Sequence, residues 1–446
     1  MPQVKIYDDT QTLHDIGAFI MSYQPYQNAF VNAMVNRIGM VLVTSKLWRN
    51  PWSVFKRGYL EYGETIEEVF VNLASPHSYN PSVAESKVFE REIPDVRAAF
   101  HTLNFQKFYK QTVQEVDLRL AFLAWSGITD LIARIVDAMY TGMEQDEYTT
   151  MKYMICREAL SGRMYVEQVA ALSSSGGIQS NAKELRAMSS NFTFNKTDYN
   201  QAGVYNHTLR ENQYIIVDTE FESTMDVDVL AVAFHMEKAD FLGHLIIIDS
   251  FDEHDKTRLD ELFANDSNYT FFTDAEKTTL GTINAVLVDR DWWMVFDNYQ
   301  NMTQNYNGEG LYWNYWLHVW KTFSVSPFAN ACVFATALGS ITAVSVSPST
   351  ATVLPGTMAQ FTATVTSSGM IDTAVKWSIT GWDDTASGGA GAADPTVTFK
   401  SGTKIDPYSG VLTVDSTETE EYILVVATSV ADEDEDDTAL VSTVSS

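Results

Sequence analysis

The sequence predicts a chain of class α+β that ends in a separate all-β module. Three observations carry this expectation. Apolar residues Ile128, Leu131, Ile132, Ile135, Val136 and Met139 recur at spacings of three and four, and the stripe resumes at Tyr148, Met151, Met154 and Ile155, which predicts a long helix with one buried side. Strand-like runs and helical patterns mix up to about residue 335 without the alternation that builds a parallel sheet. After about Leu338 helical periodicity vanishes. Short Val, Thr and Ser runs are then punctuated at Pro355-Gly356, Ser368-Gly369, Gly388-Gly389 and Ser409-Gly410, which predicts a small β-sandwich with Trp377 in its core.

Taken in order, residues 1–43 read as an arm or small helices that end in a short strand at Gly39–Val43. The segment 44–74 reads as an extended two-stranded loop with a basic tip at Lys46, Arg49, Lys56 and Arg57, followed by the alternating Ile66, Val69 and Val71. Aromatic and β-branched residues from Lys87 to Val116 predict strands, and a helix from about Gln114 leads toward the long one. Thr129 and Asp130 are placed to cap that helix, and Gly162 to close it in a left-handed turn. If unbroken it would be roughly 50 Å long; a break near Gly142 into two core helices is the other reading. The polar patch Glu144-Gln145-Asp146-Glu147 lies in its middle. Tyr214–Val217 and Leu245–Ile248 read as strands, Asp226–Phe234 as a helix, and Ala285–Val288 with Trp292–Phe296 as a hairpin about Asp289-Arg290-Asp291.

Composition excludes several functions. The chain has 446 residues, 29 Lys plus Arg and 58 Asp plus Glu, a formal charge of −29. So acidic a chain repels nucleic-acid backbones on average, and any large assembly must be driven by specific surfaces. Two cysteines make no disulfide framework, no run is long enough to span a bilayer, and the N-terminus lacks an apolar signal core, which reads as a chain made in the cytoplasm. There is no His-Glu-x-x-His, Cys-x-x-Cys pair, Gly-x-Ser-x-Gly or phosphate loop, and nothing favours a hydrolytic carboxylate pair, although any two carboxylates can converge in space, so the expectation is no enzyme and no cofactor. The cluster Asp249, Asp252, Glu253, His254 and Asp255 lacks the ligand spacing of a calcium loop and reads as a solvated loop; Asp432–Asp437 reads as a surface loop between the last two strands. The aromatic belt from Tyr312 to Trp320 could stack sugars or bases, but core packing outweighs that reading. The basic tip either docks on an acidic neighbour of the same protein or is a solvated hairpin.

Several stretches together resemble one family. Arg37-Ile38-Gly39, Phe55-Lys56-Arg57-Gly58, Thr65-Ile66-Glu67-Glu68, Lys87-Val88-Phe89-Glu90-Arg91-Glu92, Asp240-Phe241-Leu242-Gly243 and Gly310-Leu311-Tyr312-Trp313-Asn314-Tyr315 are similar, in order, to the major capsid proteins of small short-tailed bacteriophages of the phi-twenty-nine group. Val344–Pro348, Gln360–Ala363 and Val375–Ser378 resemble a group-two bacterial immunoglobulin-like domain. The resemblance implies the HK-ninety-seven-like capsid fold, divided as an arm and first strand (1–43), an extended loop (44–74), a peripheral domain with the spine helix (75–170), an axial domain (171–300), a return to the peripheral domain (301–338) and the immunoglobulin-like module (339–446). It also implies a virion shell protein, assembled in the host bacterial cytoplasm as pentamers and hexamers, with a scaffolding protein and a portal protein as partners. Packaged double-stranded DNA would be enclosed without sequence-specific contact, and no membrane is involved. Inter-subunit contact candidates are Lys46, Arg49, Lys56, Arg57, Glu67, Glu68, Glu90, Arg91 and Glu92.

Residues 252–284 look longer than the family's equivalent, with Leu259, Leu262 and Phe263 marking a short helix, and Pro327 stands where a basic residue is expected. No residue is assigned a crosslinking role. The competing readings are a surface adhesin or wall-binding protein using the module, a wall hydrolase, and a compartment of the same fold enclosing enzymes.

Overall fold

The structure, a computed structural model, describes residues 48–60, 65–74, 76, 79, 94–114, 125–174, 176–224, 244–264, 266–383 and 391–443. After a 3-10 turn at Pro51–Phe55 come β1 (Lys56–Tyr59), β2 (Thr65–Val71), β3 (Val96–Thr102), β4 (Phe105–Gln114) and the helix α1 (Trp125–Leu160). Then follow β5 (Tyr165–Gln168), α2 (Gly177–Asn191), β6 (Gln213–Asp218), α3 (Thr219–Thr224), β7 (Leu245–Ile248), α4 (Lys256–Leu262), α5 (Asp274–Leu280) and β8 (Ile283–Asp289). A 3-10 turn at Arg290–Trp292 leads into β9 (Trp293–Asn307), β10 (Tyr312–Val325) and β11 (Ala331–Ala335). The C-terminal part is all strand: β12 (Ser340–Ser347), β13 (Thr350–Thr352), β14 (Met358–Gln360), β15 (Thr362–Ser368), β16 (Val375–Asp383), β17 (Ala392–Asp394), β18 (Lys404–Ile405), β19 (Val411–Thr413), β20 (Tyr422–Ser429) and β21 (Asp436–Ser442). The chain is therefore mixed α+β and rich in sheet, and no described helix is long and apolar enough to cross a membrane.

The long helix is continuous. Its 36 residues run through Gly142 without a break, about 54 Å at 1.5 Å per residue. It starts at Trp125, so Thr129 lies within the helix rather than at its cap. It ends as expected: Gly162 takes φ 69° and Arg163 N–H donates to Glu158 O at 3.3 Å, satisfying a terminal carbonyl.

The chain forms two compact units. One comprises Phe105–Glu147 and Asp297–Lys321 with the segment before Pro51; the other comprises Pro51–Asn104, Tyr148–Phe296 and Thr322–Ser446. In the first, β4 pairs antiparallel with β10, Gln114 opposite Tyr312 through to Phe105 opposite Lys321, and β9 lies on the other side of β10. Period-two alternation sends Tyr315, Leu317, Val319 and Val113 to one face, where they pack on Met139 and Met143 of α1.

In the second unit a five-stranded sheet runs β5-β11-β8-β6-β7, with β5 parallel to β11 and β6 parallel to β7. Its strands are nearly continuous apolar runs because both faces are covered: β11 is buried throughout, and Ile215, Val217, Leu287 and Phe334 pack with Leu185 and Phe192 from the end of α2 and Phe221 of α3. Cys156 and Cys332 are buried and free, and burial pushes the Cys156 thiol up to about 12.

Asp289–Trp292 corrects the expected hairpin. β8 pairs with β6 and β11, whereas β9 belongs to the other sheet, so the 3-10 turn carries the chain between sheets. The short helix expected at Leu259 and Leu262 is α4, both residues buried, with Asp255 accepting from Arg258 N at 3.1 Å as its cap. Asp226–Phe234 and Gly39–Val43 lie outside the described residues.

The C-terminal strands form sheets β13-β21-β20-β16-β17, β14-β19-β18 and β12-β15 around one shared core of Ile341, Val346, Phe361, Trp377, Leu412, Val425 and Val441. Asp432–Glu435 lie between β20 and β21, and Asp437 accepts from Val346 N at 2.7 Å.

Candidate assembly surface

The segment expected as an extended loop divides into two parts. Its first part is core: Trp52 and Phe55 are fully buried, Trp52 edge-on to Trp293 at 5.1 Å and Phe55 edge-on to Tyr214 at 5.1 Å. Its second part, β2, does not pair with β1. It pairs antiparallel with β3, from Thr65 opposite Thr102 to Val71 opposite Val96, so the two-stranded ribbon spans 65–102 rather than 44–74.

The two faces of this ribbon differ. Inward, Phe70 stacks on Phe328 with centroids 5.5 Å apart, and Glu68 accepts from Ser326 Oγ at 2.9 Å. The other Glu68 oxygen meets His101 Nε2 at 3.2 Å, and His101 Nδ1 lies 2.7 Å from Ser324 Oγ. Outward, the register aligns Glu67, Val69 and Val71 with Phe100, Ala98 and Val96. Val69, Val71, Val96 and Phe100 are all more than half exposed. Contiguous exposed apolar faces of this kind are a general feature of surfaces that meet a partner.

A second exposed face lies in the other unit, on the side of the β4–β10 pair opposite α1. There Gln106, Phe108 and Lys110 stand in register with Trp320, His318 and Trp316. Phe108 is 60% exposed and 5.8 Å from the His318 ring, and Lys110 Nζ lies 5.8 Å over the Trp316 ring. Tyr299 of β9 packs on Trp320 at 4.9 Å. The aromatic belt thus divides by strand alternation, Tyr315 entering the core while Trp316 and Trp320 stay on the open side.

The sequence-derived contact residues fall in different places. Lys46, Glu90, Arg91 and Glu92 lie outside the described residues. Arg49 is exposed and Lys56 half-buried. Arg57 is engaged within its own chain, Nη2 3.0 Å from Asp291 Oδ1 and Nε donating to Trp293 O at 3.1 Å. Glu67 and Glu68, adjacent in sequence, point to opposite faces of the ribbon, and only Glu67 is on the open one.

Sequence reading missed a buried ionic centre in the first unit. Glu147 and Lys321 are both at least 97% buried and paired; Lys321 Nζ also lies 2.9 Å from Asp297 Oδ1, and Asn50 Nδ2 donates to Glu147 Oε1 at 2.8 Å. The available signal was the polar patch in mid-helix: Asp146 and Glu147 are buried, Asp146 accepting from Tyr109 OH at 2.6 Å. In the second unit, Asp249 of the acidic cluster accepts from Lys152 Nζ at 2.7 Å and Tyr148 OH at 2.6 Å, and these partners hold its carboxyl below the usual range against burial. Among the described residues no group of His, Cys, Asp and Glu is placed to hold a metal ion.

Comparison with known proteins places these features. Residues 4–335 match the model of the Phi29-like phage major capsid protein family. The major capsid protein of Bacillus phage PZA is 36% identical over 371 residues, 82% of this chain and 77% of that protein; the major capsid protein of Bacillus phage B103 is 37% identical over 378 residues, 84% and 78%. The capsid structure of Staphylococcus phage Andhra superposes with a TM-score of 0.53 at 16% identity, covering 67% of this chain and 87% of that one, a likeness of fold. The HK-ninety-seven-like capsid fold is therefore present, and the chain belongs to the Phi29-like major capsid protein family, a structural component of a tailed bacteriophage head and not an enzyme.

Proposed function

We propose that copies of this chain close the phage shell by laying the outward face of the β2–β3 ribbon across the open aromatic face of the β9–β10–β4 sheet of a neighbouring copy. The observation that carries this reading is the ribbon's exposed run of Val69, Val71, Val96 and Phe100, which no residue of its own chain covers among those described. Apolar side chains from Phe108, Trp316 and Trp320 match it in chemistry, and Lys110 offers a cation for Glu67. Repetition of one heterologous contact closes rings, and rings close a shell.

Around this contact the remaining assignments follow the family. Strands β6, β7 and β8, within residues 171–300, belong to the axial domain that gathers at capsomer centres, and α1 is the spine of the peripheral domain. Lys46, Arg49, Glu90, Arg91 and Glu92 lie at subunit boundaries. A scaffolding protein and a portal protein join during assembly in the host cytoplasm, and double-stranded DNA is enclosed without sequence-specific contact, consistent with a charge of −29. Residues 339–446 act as a group-two immunoglobulin-like module, supported by their shared sandwich core about Trp377.

The test is electron microscopy of the purified full chain co-expressed with a scaffolding protein, beside Val71→Lys and Phe100→Asp. Closed shells from the parent and isolated, folded subunits from both variants are expected. Shells of normal yield from both variants would place the main contact elsewhere.

A further inference from the structure

The C-terminal module lies beyond the family-matched residues 4–335, yet it is fastened to the rest of its unit at two glycines. Gly162, at φ +69°, meets the β15–β16 connection: Thr373 N–H donates to Gly162 O at 3.0 Å, and a Cβ on Gly162 would lie 2.3 Å from Ile371 O. Gly203, at φ +60°, seats the Tyr408 ring, where a Cβ would lie 2.2 Å from the ring edge. Both positions combine a left-handed backbone with a contact that admits no side chain. Between the two grips runs an open cleft of about 850 Å³, lined by residues of the module and of the rest of its unit.

The second grip reaches the ribbon. Arg97, on the inward face of β3, chelates Asp95 at 3.1 and 3.2 Å, donates to Ala202 O at 2.5 Å beside Gly203, and sets Nη2 3.4 Å from Asp406 Oδ1 with its guanidinium 5.7 Å from the Tyr408 ring centroid. Asp406 is fixed in turn, accepting from Tyr408 N at 3.0 Å and Ser409 N at 2.7 Å. One planar cation therefore ties ribbon, body and module, with the fixed fork geometry that makes Arg poorly replaceable by Lys.

We propose that the C-terminal module is an intrachain brace for the ribbon: seating Asp406 and Tyr408 on Arg97 orders the β2–β3 pair, and an ordered pair in turn seats the module. Because coupling of this kind is reciprocal, each side must loosen when the other is released. The brace rests on the shell reading only in naming the ribbon an assembly element. Its test is made on the single chain, so failure of the brace and failure of the shell contact are separable.

Hydrogen–deuterium exchange by mass spectrometry on the full chain tests it in both directions. In Asp406→Asn combined with Tyr408→Ala, amides of Thr65–Val71 and Val96–Thr102 should exchange roughly tenfold faster, while β16 and β20 keep parent rates, showing the module still folded. In Arg97→Ala the 406–410 turn should loosen along with the ribbon. Parent exchange rates in the ribbon of the double variant, or a loosened ribbon with an unchanged 406–410 turn in Arg97→Ala, would overturn the brace.

Discussion

Buried ionisable groups show how single residues set the conditions under which this chain stays folded. Glu147 and Lys321 are paired in a buried site beside Asn50 and the partly exposed Asp297, where an unpaired charge would be expensive. Lys321→Met should lower unfolding free energy by about 3–5 kcal/mol in urea denaturation, and adding Glu147→Leu should restore most of it, since the cost lies in the orphaned charge rather than in the loss of the pair. His254 sets a pH limit. Burial first, then the nearby Lys152 ammonium, lower its pKa to about 4, its ring lies 4.5 Å from Phe272, and Nε2 is buried without a hydrogen-bond partner among the described residues. The unfolded chain takes up the proton near 6.5 and the folded chain only near 4, so stability is lost as pH falls through that window, on the order of 3 kcal/mol. His254→Phe should flatten this part of a melting-temperature profile. Asp372 runs the other way: burial raises its carboxyl to about 6, so its contribution is full below about 3.8 and is lost as pH rises through 6.

At the scale of elements, caps and pairings decide which strands and helices persist. α5 opens on a complete capping box, Thr273 Oγ1 accepting from Glu276 N at 3.2 Å while Glu276 Oε2 accepts from Thr273 N at 2.7 Å. Thr273→Ala should cost about 1 kcal/mol in chemical denaturation. This helix belongs to the segment that looks longer than its family equivalent, and Arg157 of α1 anchors it by donating to Glu276 Oε1 and Thr270 O, both at 2.5 Å, with its guanidinium 4.4 Å over Phe272.

Local signals were legible where the physics is local. Spacings of three and four revealed α1, continuous apolar runs revealed β6 and β7, and Leu259 with Leu262 revealed α4. The ribbon was misplaced because the partner of β2 begins 25 residues after β2 ends, and nothing near Val71 announces Val96. Alternation marks β2 as a strand, but it does not tell that Val69 and Val71 lie on the exposed face and Ile66 on the other. The hairpin at Asp289 failed for a similar reason: turn residues reveal that the chain reverses, not which sheet it joins. The sequence predicts a separate module and not its seating on the rest of the unit, because the two glycines at that seat carry no side-chain signal.

For the molecule as a whole, a charge of −29 sets assembly against mutual repulsion. Raising ionic strength from low salt to about 0.15 M shortens the screening length to about 8 Å and should speed shell growth followed by light scattering. An assembly rate unchanged over that range would mean that like-charged surfaces stay apart in the shell.

The order β5-β11-β8-β6-β7 has a consequence for synthesis. Among the described residues β5, near residue 165, is joined to the rest of its sheet only by β11, which ends at Ala335. A nascent chain on the ribosome therefore carries β5 with an unpaired edge until some 170 further residues have been made, and long-range pairings of this kind form slowly. The family fold cannot close before translation has passed Ala335, and the brace strands emerge only afterwards. Incomplete chains, lacking both, would be poor substrates for incorporation into a growing head.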